Sequence, residues 1–386
     1  MEYPLGARRV KRADRRKALV CLAGGAASIA SMRFARAAGK SLKIGCTLDS
    51  SGVEKANGAG LHAGASAYFE ALNKSGGVGG AKVEIELVDD KFNPELAKTN
   101  ALALVGNPAV IALLHPLGTR QTAAVIEAAP GLAVVGPLTG TVGLRSKSGP
   151  NVFWVRANYA QEIDKLVATA AVLGITRIGM VHPNDPFGLP LLAAFKAATT
   201  RHQLTPAVIA TTPNTISPEV EPAAREIARN APQVVIMALA GTAPSFVKAL
   251  RSAGAASSIY GLSIGASAAN LASLASFSRG MGFSIVVPSP FSTKFEVVRR
   301  YQVDMAASGR TEFSLPSLEG YINAKVLAEG LRRAGAAPSR DSVMKALAGL
   351  DAFDAGGVRV SYAGGRREGG AFVDVAAVGA DGRLLV

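Results

Sequence analysis

The chain has 386 residues, 49% of them apolar, and that length favours two domains over one. Aromatics make up only 6% while Ala and Gly are abundant, which suits helices packed closely on a sheet and argues against a long all-β array. The formal charge of +14 points to anionic partners, but where the charges lie excludes nucleic acid.

Residues 7–17 read ARRVKRADRRK, and residues 18–32 are a short apolar run. With ARA at 35–37, this is the pattern of a signal peptide spanning 1–37, and cleavage is expected after Ala37. The apolar run is shorter than the roughly 20 residues that a membrane span needs. Arg15-Arg16 with Leu19 partly matches a twin-arginine signal, so both the Sec and the twin-arginine routes to the periplasm stay open. Removing the segment takes away nine positive and two negative charges, and the formal charge falls from +14 to +7. No dense Lys/Arg stripe with interleaved aromatics remains, so no nucleic acid is expected as a partner. A mild positive field favours encounter with small anions. Cys46 alone lies beyond the segment and reads as a buried small hydrophobe.

Apolar runs of strand length then alternate with amphipathic runs of helix length. Strands are predicted at 42–48, 82–90, 109–116, 132–137, 177–183, 234–239, 259–262 and 283–288. Several are apolar on successive residues, the mark of parallel strands covered on both faces. Helices are predicted at 60–77, 93–106, 222–232, 243–254 and 317–335; Asn93 caps the second and Pro94 is its first residue. The β-α-β order requires right-handed crossovers and a doubly wound sheet. The pattern runs twice, with the second set starting near Tyr159. The fold class is therefore α/β: two Rossmann-like lobes with doubly wound parallel sheets. Lobe I is expected to take 41–158 and 289–350. Lobe II is expected to take 159–288 and a tail of hairpins, 351–386.

In open α/β sheets, ligands collect beyond the carboxyl ends of the strands. The loops there are DSSGVEKANG (49–58), LGTRQT (117–122), LTGTVG (138–143), RANYAQE (156–162), NDPFG (184–188), AGTAPS (240–245) and SIGAS (263–267). They contain no nucleotide P-loop, and no G-x-G-x-x-G follows the first strand, so no cofactor is expected. They do offer hydroxyls and free N–H groups at helix starts, which suit a carboxylate. Thr119, at or near a helix N-cap, either grips such a group or merely caps its own helix. Thr139 and Thr141 in a second hydroxyl loop tip the balance toward binding.

Catalysis is not expected. His62, His115, His182 and His202 lack metal spacing and read as satisfied structural histidines. No G-x-S-x-G elbow is present. Trp154, the only tryptophan, reads as packing in a strand that crosses between lobes.

With those residues in view, the chain resembles the type I periplasmic substrate-binding proteins of the leucine/isoleucine/valine branch. LKIGCTLDSSG is similar to that family's opening strand and loop. ALNKSGGVGGAKVEIELVDDKFNPELA resembles its glycine turn, strand, acidic pair and Asn/Asp-Pro helix start, and RIGMVHPNDPFG resembles the opening of its second lobe. The resemblance implies two lobes joined by a three-strand hinge, closure on a ligand, and delivery to an inner-membrane ABC permease without chemistry. It puts the ligand carboxylate on Thr119 and the loop from Leu138 through Thr139 to Thr141. It puts the acids that meet a ligand ammonium at Gln161 and Ser263, an aromatic wall near Ala240 to Thr242, and another near Asn57. Tyr159 would stack on or hydrogen-bond to the ligand; its alternative role is hinge packing.

Gln161 and Ser263 are not acids. Unless Glu162 substitutes, the expected ligand is an aromatic or aliphatic acid with a carboxylate but no α-ammonium, or a neutral amide. The resulting reading is an exported, monomeric solute-binding protein for a small carboxylate, aromatic acid or amino-acid-like molecule. The alternatives are a ligand-sensing partner of a membrane receptor and an exported α/β enzyme.

Overall fold

The computed structural model describes Met1 and residues 41–380, 382, 384 and 385; the rest of the expected targeting segment lies outside the described residues. The first sheet comprises β1 (Ser41–Leu48), β2 (Lys82–Asp89), β3 (Val110–Leu114), β4 (Ala133–Val135) and β5 (Val152–Phe153). Its order is β2-β1-β3-β4-β5, and every pair is parallel. All five residues of β3 are buried, as its unbroken apolar run requires. The helix Pro94–Gly106 begins at Asn93, whose side chain accepts from the N–H groups of Glu95 and Leu96.

The chain then enters a second sheet through β6 (Arg177–Pro183), β7 (Thr205–Thr212), β8 (Val234–Met237), β9 (Ser258–Gly261) and β10 (Gly282–Ile285). It returns through the helices Glu296–Ala307, Leu315–Arg333 and Arg340–Ala348 and a ribbon of β11 (Phe353–Asp354) and β12 (Arg359–Val360). It ends in β13 (Asp374–Val378) and β14 (Leu384–Leu385), giving the order β14-β13-β10-β9-β8-β6-β7. The second sheet is thus not wholly parallel: β13 runs antiparallel to β10, and β14 to β13. β14 follows β13 after a short turn, and strands joined that way pair antiparallel.

The expected boundary at 351 also shifts. Val358, Val360 and Tyr362 are buried in the first lobe's core with Val297 and Tyr301. The Tyr362 ring meets Phe153 of β5 edge-on, with centroids 5.1 Å apart. Residues 353–362 therefore belong to the first lobe, and only β13 and β14 complete the second sheet.

The chain passes between the lobes three times, near residues 154–158, 286–291 and 363–373. The first and third passes lie side by side. The Trp154 N–H donates to the Arg367 carbonyl at 2.8 Å, and the Gly369 N–H donates to the Trp154 carbonyl at 2.9 Å. Trp154 is fully buried, and the Arg145 guanidinium lies 4.6 Å from its ring centre. Arg145 also donates to the carbonyls of Arg156, Ala157 and Thr139 and to Glu368, so it braces the crossing segment against the hydroxyl loop.

Candidate functional site

The carboxyl ends of both sheets face a cavity of about 140 Å³ lined from both lobes. Glu54, Gly118 and Leu138 come from the first-lobe loops, Arg156 and Tyr159 from the first crossing, and Ser263 from the loop after β9. A void of this order accommodates a six-membered carbon ring. A wider hollow of about 1010 Å³ opens beside it and shares Asn57, Ala266, Ile285, Leu315 and Pro316 with it. The charged residues of that hollow are the exposed Glu312 and Arg310, which is already paired with Glu70 at 2.8 Å. Converging, unspent polar groups mark a ligand site better than volume does, so the smaller cavity is the candidate and the hollow its vestibule.

The hydroxyl loops come together as the sequence suggests. Thr119 Oγ1 lies 2.7 Å from Thr139 Oγ1 and 3.0 Å from Thr141 Oγ1, and the last two are 3.1 Å apart. Gly118 is the N-cap of the helix Thr119–Ala128, so Thr119 does not cap it. Each hydroxyl carries one hydrogen, and a closed ring of three uses all of them internally. A carboxylate arriving here would meet the free N–H groups of the first helical turn and draw hydroxyl hydrogens outward. Gly118 and Leu138 line the cavity; Thr119, Thr139 and Thr141 do not.

The other expected residues divide. Tyr159 lines the cavity, is 2% exposed, and its ring meets Phe187 edge-on with centroids 5.9 Å apart, so it serves both as wall and as packing. Burial raises its phenol pKa, which keeps it neutral. Asn57 lines both spaces and donates to Glu54 at 2.6 Å. Gln161 does not reach the cavity. Its side-chain oxygen accepts from the Asn158 N–H at 2.8 Å, closing a capping box on the helix Tyr159–Val172. Thr242 does not reach it either; its hydroxyl is buried without a partner at the start of the helix Ala243–Ser252.

Glu162, the alternative acid left open by the sequence, stands beside Ser263. Glu162, 0% exposed, accepts from the Ser263 N–H at 2.9 Å, the Ser263 hydroxyl at 3.0 Å, the Ser284 hydroxyl at 2.7 Å and Arg156 at 3.4 Å. Arg156 also donates to Ser263 Oγ at 2.7 Å. On the opposite side Glu319, from the helix Leu315–Arg333, lines the cavity 3.6 Å from Arg156 Nη1. Burial alone would lower the pKa of Arg156, but Glu319 and Glu162 outweigh it and the guanidinium stays charged. Burial raises the pKa of Glu319 against the pull of Arg156.

The histidines are not all satisfied, contrary to expectation. His182 Nδ1 lies 2.9 Å from the Pro183 carbonyl but its Nε2 is buried without a partner, and so are both ring nitrogens of His115. Burial pulls the pKa of His115 down to about 3, so it stays neutral. Cys46 is buried and free, as read. No metal-holding group of His, Cys, Asp or Glu occurs among the described residues.

Two α/β lobes, three crossings and a cavity walled by both, with a few charged groups in a largely apolar lining, define a bilobal solute-binding protein. The chain belongs to the periplasmic binding protein family, whose profile matches residues 41–382, and its fold is type I. That family consists of solute-binding proteins, not enzymes. A substrate-binding periplasmic protein from Ralstonia solanacearum is 30% identical; the match covers 89% of this chain and 99% of that one, with a TM-score of 0.74. An extracellular ligand-binding receptor from Verminephrobacter eiseniae, 24% identical, shares the fold over 90% of this chain and 100% of its own, with a TM-score of 0.76. A Leu/Ile/Val-binding protein homolog from Brucella melitensis is 26% identical over 179 residues, which is 46% of this chain and 48% of that relative. The chain's match thus spans about half the length of this curated relative.

Proposed function

We propose that the protein works in the periplasm, captures a small carboxylate-bearing or amino-acid-like solute between its lobes, and delivers it to an inner-membrane ABC permease. The observation that carries this reading is the cavity lined by both lobes, with the acids Glu54 and Glu319 on the first-lobe side and the Ser263 loop on the other. Only a ligand touching both walls favours the closed over the open arrangement, because a shift in population requires differential contacts. Both walls come from one chain, so a monomer suffices. The curated relative named for leucine, isoleucine and valine supports the amino-acid-like end of the range.

Thermal-shift screening of ligand-free protein against amino acids and matched carboxylic acids tests the reading. A rise in Tm with at least one small carboxylate is expected, and no response across both sets counts against it. In the same assay format, Thr119→Ala should leave the ligand-free Tm nearly unchanged. Losing a hydrogen bond to a charged group removes about 1.5–3 kcal/mol, so calorimetry should show Kd rising roughly 10- to 100-fold. An unaltered Kd removes Thr119 from the site. Export predicts a mature protein beginning at Ala38, which the intact mass of periplasmic material checks.

A further inference from the structure

The wall of the cavity carries an unbalanced charge. Among the described residues that line it, Arg156 is the one cation and Glu54 and Glu319 are the acids, while Glu162 is buried behind Arg156. Glu162 has four donor contacts and is fully occupied. Glu319 is not: its side chain is 8% exposed, its nearest cation is at 3.6 Å, and Oε1 has no hydrogen-bond donor. A separation of 3.6 Å with no hydrogen bond is an ion pair held apart, not a locked one.

The surrounding groups do not fill the gap. Arg145 is committed to three carbonyls and Glu368. Tyr159 is neutral. Glu54, on the opposite loop, is a further acid whose oxygen already accepts from Asn57. A buried carboxylate oxygen without a donor is destabilising and is relieved either by a proton or by a cationic donor.

We propose that Glu319 is a specificity-determining residue that receives a protonated amine of the ligand beside Arg156. This rests on the cleft reading above and narrows its ligand to amine-bearing molecules, reversing the expectation drawn from Gln161 and Ser263. Without ligand the site relieves itself by holding a proton on Glu319, in keeping with the direction in which burial moves that group. An incoming ammonium displaces that proton, so binding releases a proton and weakens as pH falls.

The test uses the ligand-free full mature chain and its Glu319→Gln variant in two arms. In the first, thermal unfolding is followed from about pH 5 to about pH 8. An unfolded glutamate ionises near about pH 4.3. A folded value above that means the native state binds the extra proton, so wild-type stability is lost as pH rises through the folded value. Glu319→Gln lacks this loss, and its Tm advantage should widen with pH. A Tm difference that is constant across the range overturns the proposal.

In the second arm, calorimetry compares leucine with isocaproate and phenylalanine with hydrocinnamate. The wild type should prefer the amine member. Glu319→Gln should weaken that member at least about tenfold and leave the des-amino member within about twofold. A wild-type preference for the des-amino acid, or an amine affinity that Glu319→Gln leaves unchanged, overturns the proposal while leaving the cleft reading intact. If no member binds, the cleft reading of small carboxylates fails, and the first arm decides the role of Glu319 by itself.

Discussion

Replacing Glu162 with alanine should destabilise the protein by about 3–5 kcal/mol, the range for removing one partner of a buried ion pair. The side chain is fully buried, and its two oxygens accept from Ser263, Ser284 and Arg156. Those donors come from three separate places: the first crossing, the loop after β9, and β10 itself. Removing the carboxylate leaves two hydroxyls, one N–H and a guanidinium without their acceptor in a space water cannot easily reach. Desolvation then acts on each of them at once. Glu162→Gln keeps the shape and one acceptor oxygen, so its loss should be smaller. Urea unfolding gives the measurement, and the single tryptophan, Trp154, reports from within the hinge. A loss below about 1 kcal/mol for the alanine variant would mean that the pair behaves as a solvated surface pair despite its burial.

The features that could be read from the sequence have a common physical origin. A strand covered on both faces must be apolar on successive residues, so VIALL announces β3 without any knowledge of its neighbours. β7 lacks that mark. It is an edge strand, half exposed and rich in Thr, and its sequence looks like a loop. Residues 353–362 were unreadable for a different reason. Their short apolar alternation matches the rest of the tail, and only Phe153 and Val297, distant in sequence, decide which lobe holds them.

At the site, hydroxyls in loops at strand ends were legible because topology alone brings those loops together. Thr119, Thr139 and Thr141 meet for that reason. Gln161 was misplaced although the local signal existed: Asn158 and Gln161 stand three apart, the spacing of a capping box. Glu319 left no such signal. It lies in a helix buried on nearly every side from Ser317 to Val326, where no polar face sets a functional acid apart. Only packing reveals that it points into the cleft.

That packing sets the last expectation: Gly64→Ala should cost about 3 kcal/mol, the upper end of overpacking, and should weaken ligand binding as well. The helices Lys55–Lys74 and Leu315–Arg333 touch backbone to backbone. A Cβ on Gly64 would lie 1.7 Å from the Ser317 carbonyl oxygen, and one on Gly320 would lie 2.1 Å from that of Leu61. Neither neighbour is a side chain that can swing aside, so the helices must separate. Separation shifts Ser317, whose hydroxyl lies 2.5 Å from that of Tyr301, and displaces Glu319, which adjoins Gly320, relative to Arg156. Gly106→Ala is the matching control. It sits at the end of the helix Pro94–Gly106 with nothing within 4 Å of an added Cβ. Alanine there should be neutral or stabilising by up to about 1 kcal/mol. Parallel urea unfolding and calorimetry on the two variants separate close helix approach from the general effect of replacing a helical glycine. If Gly64→Ala lost stability but bound ligand as the wild type does, the two helices would hold the first lobe together without setting the position of Glu319.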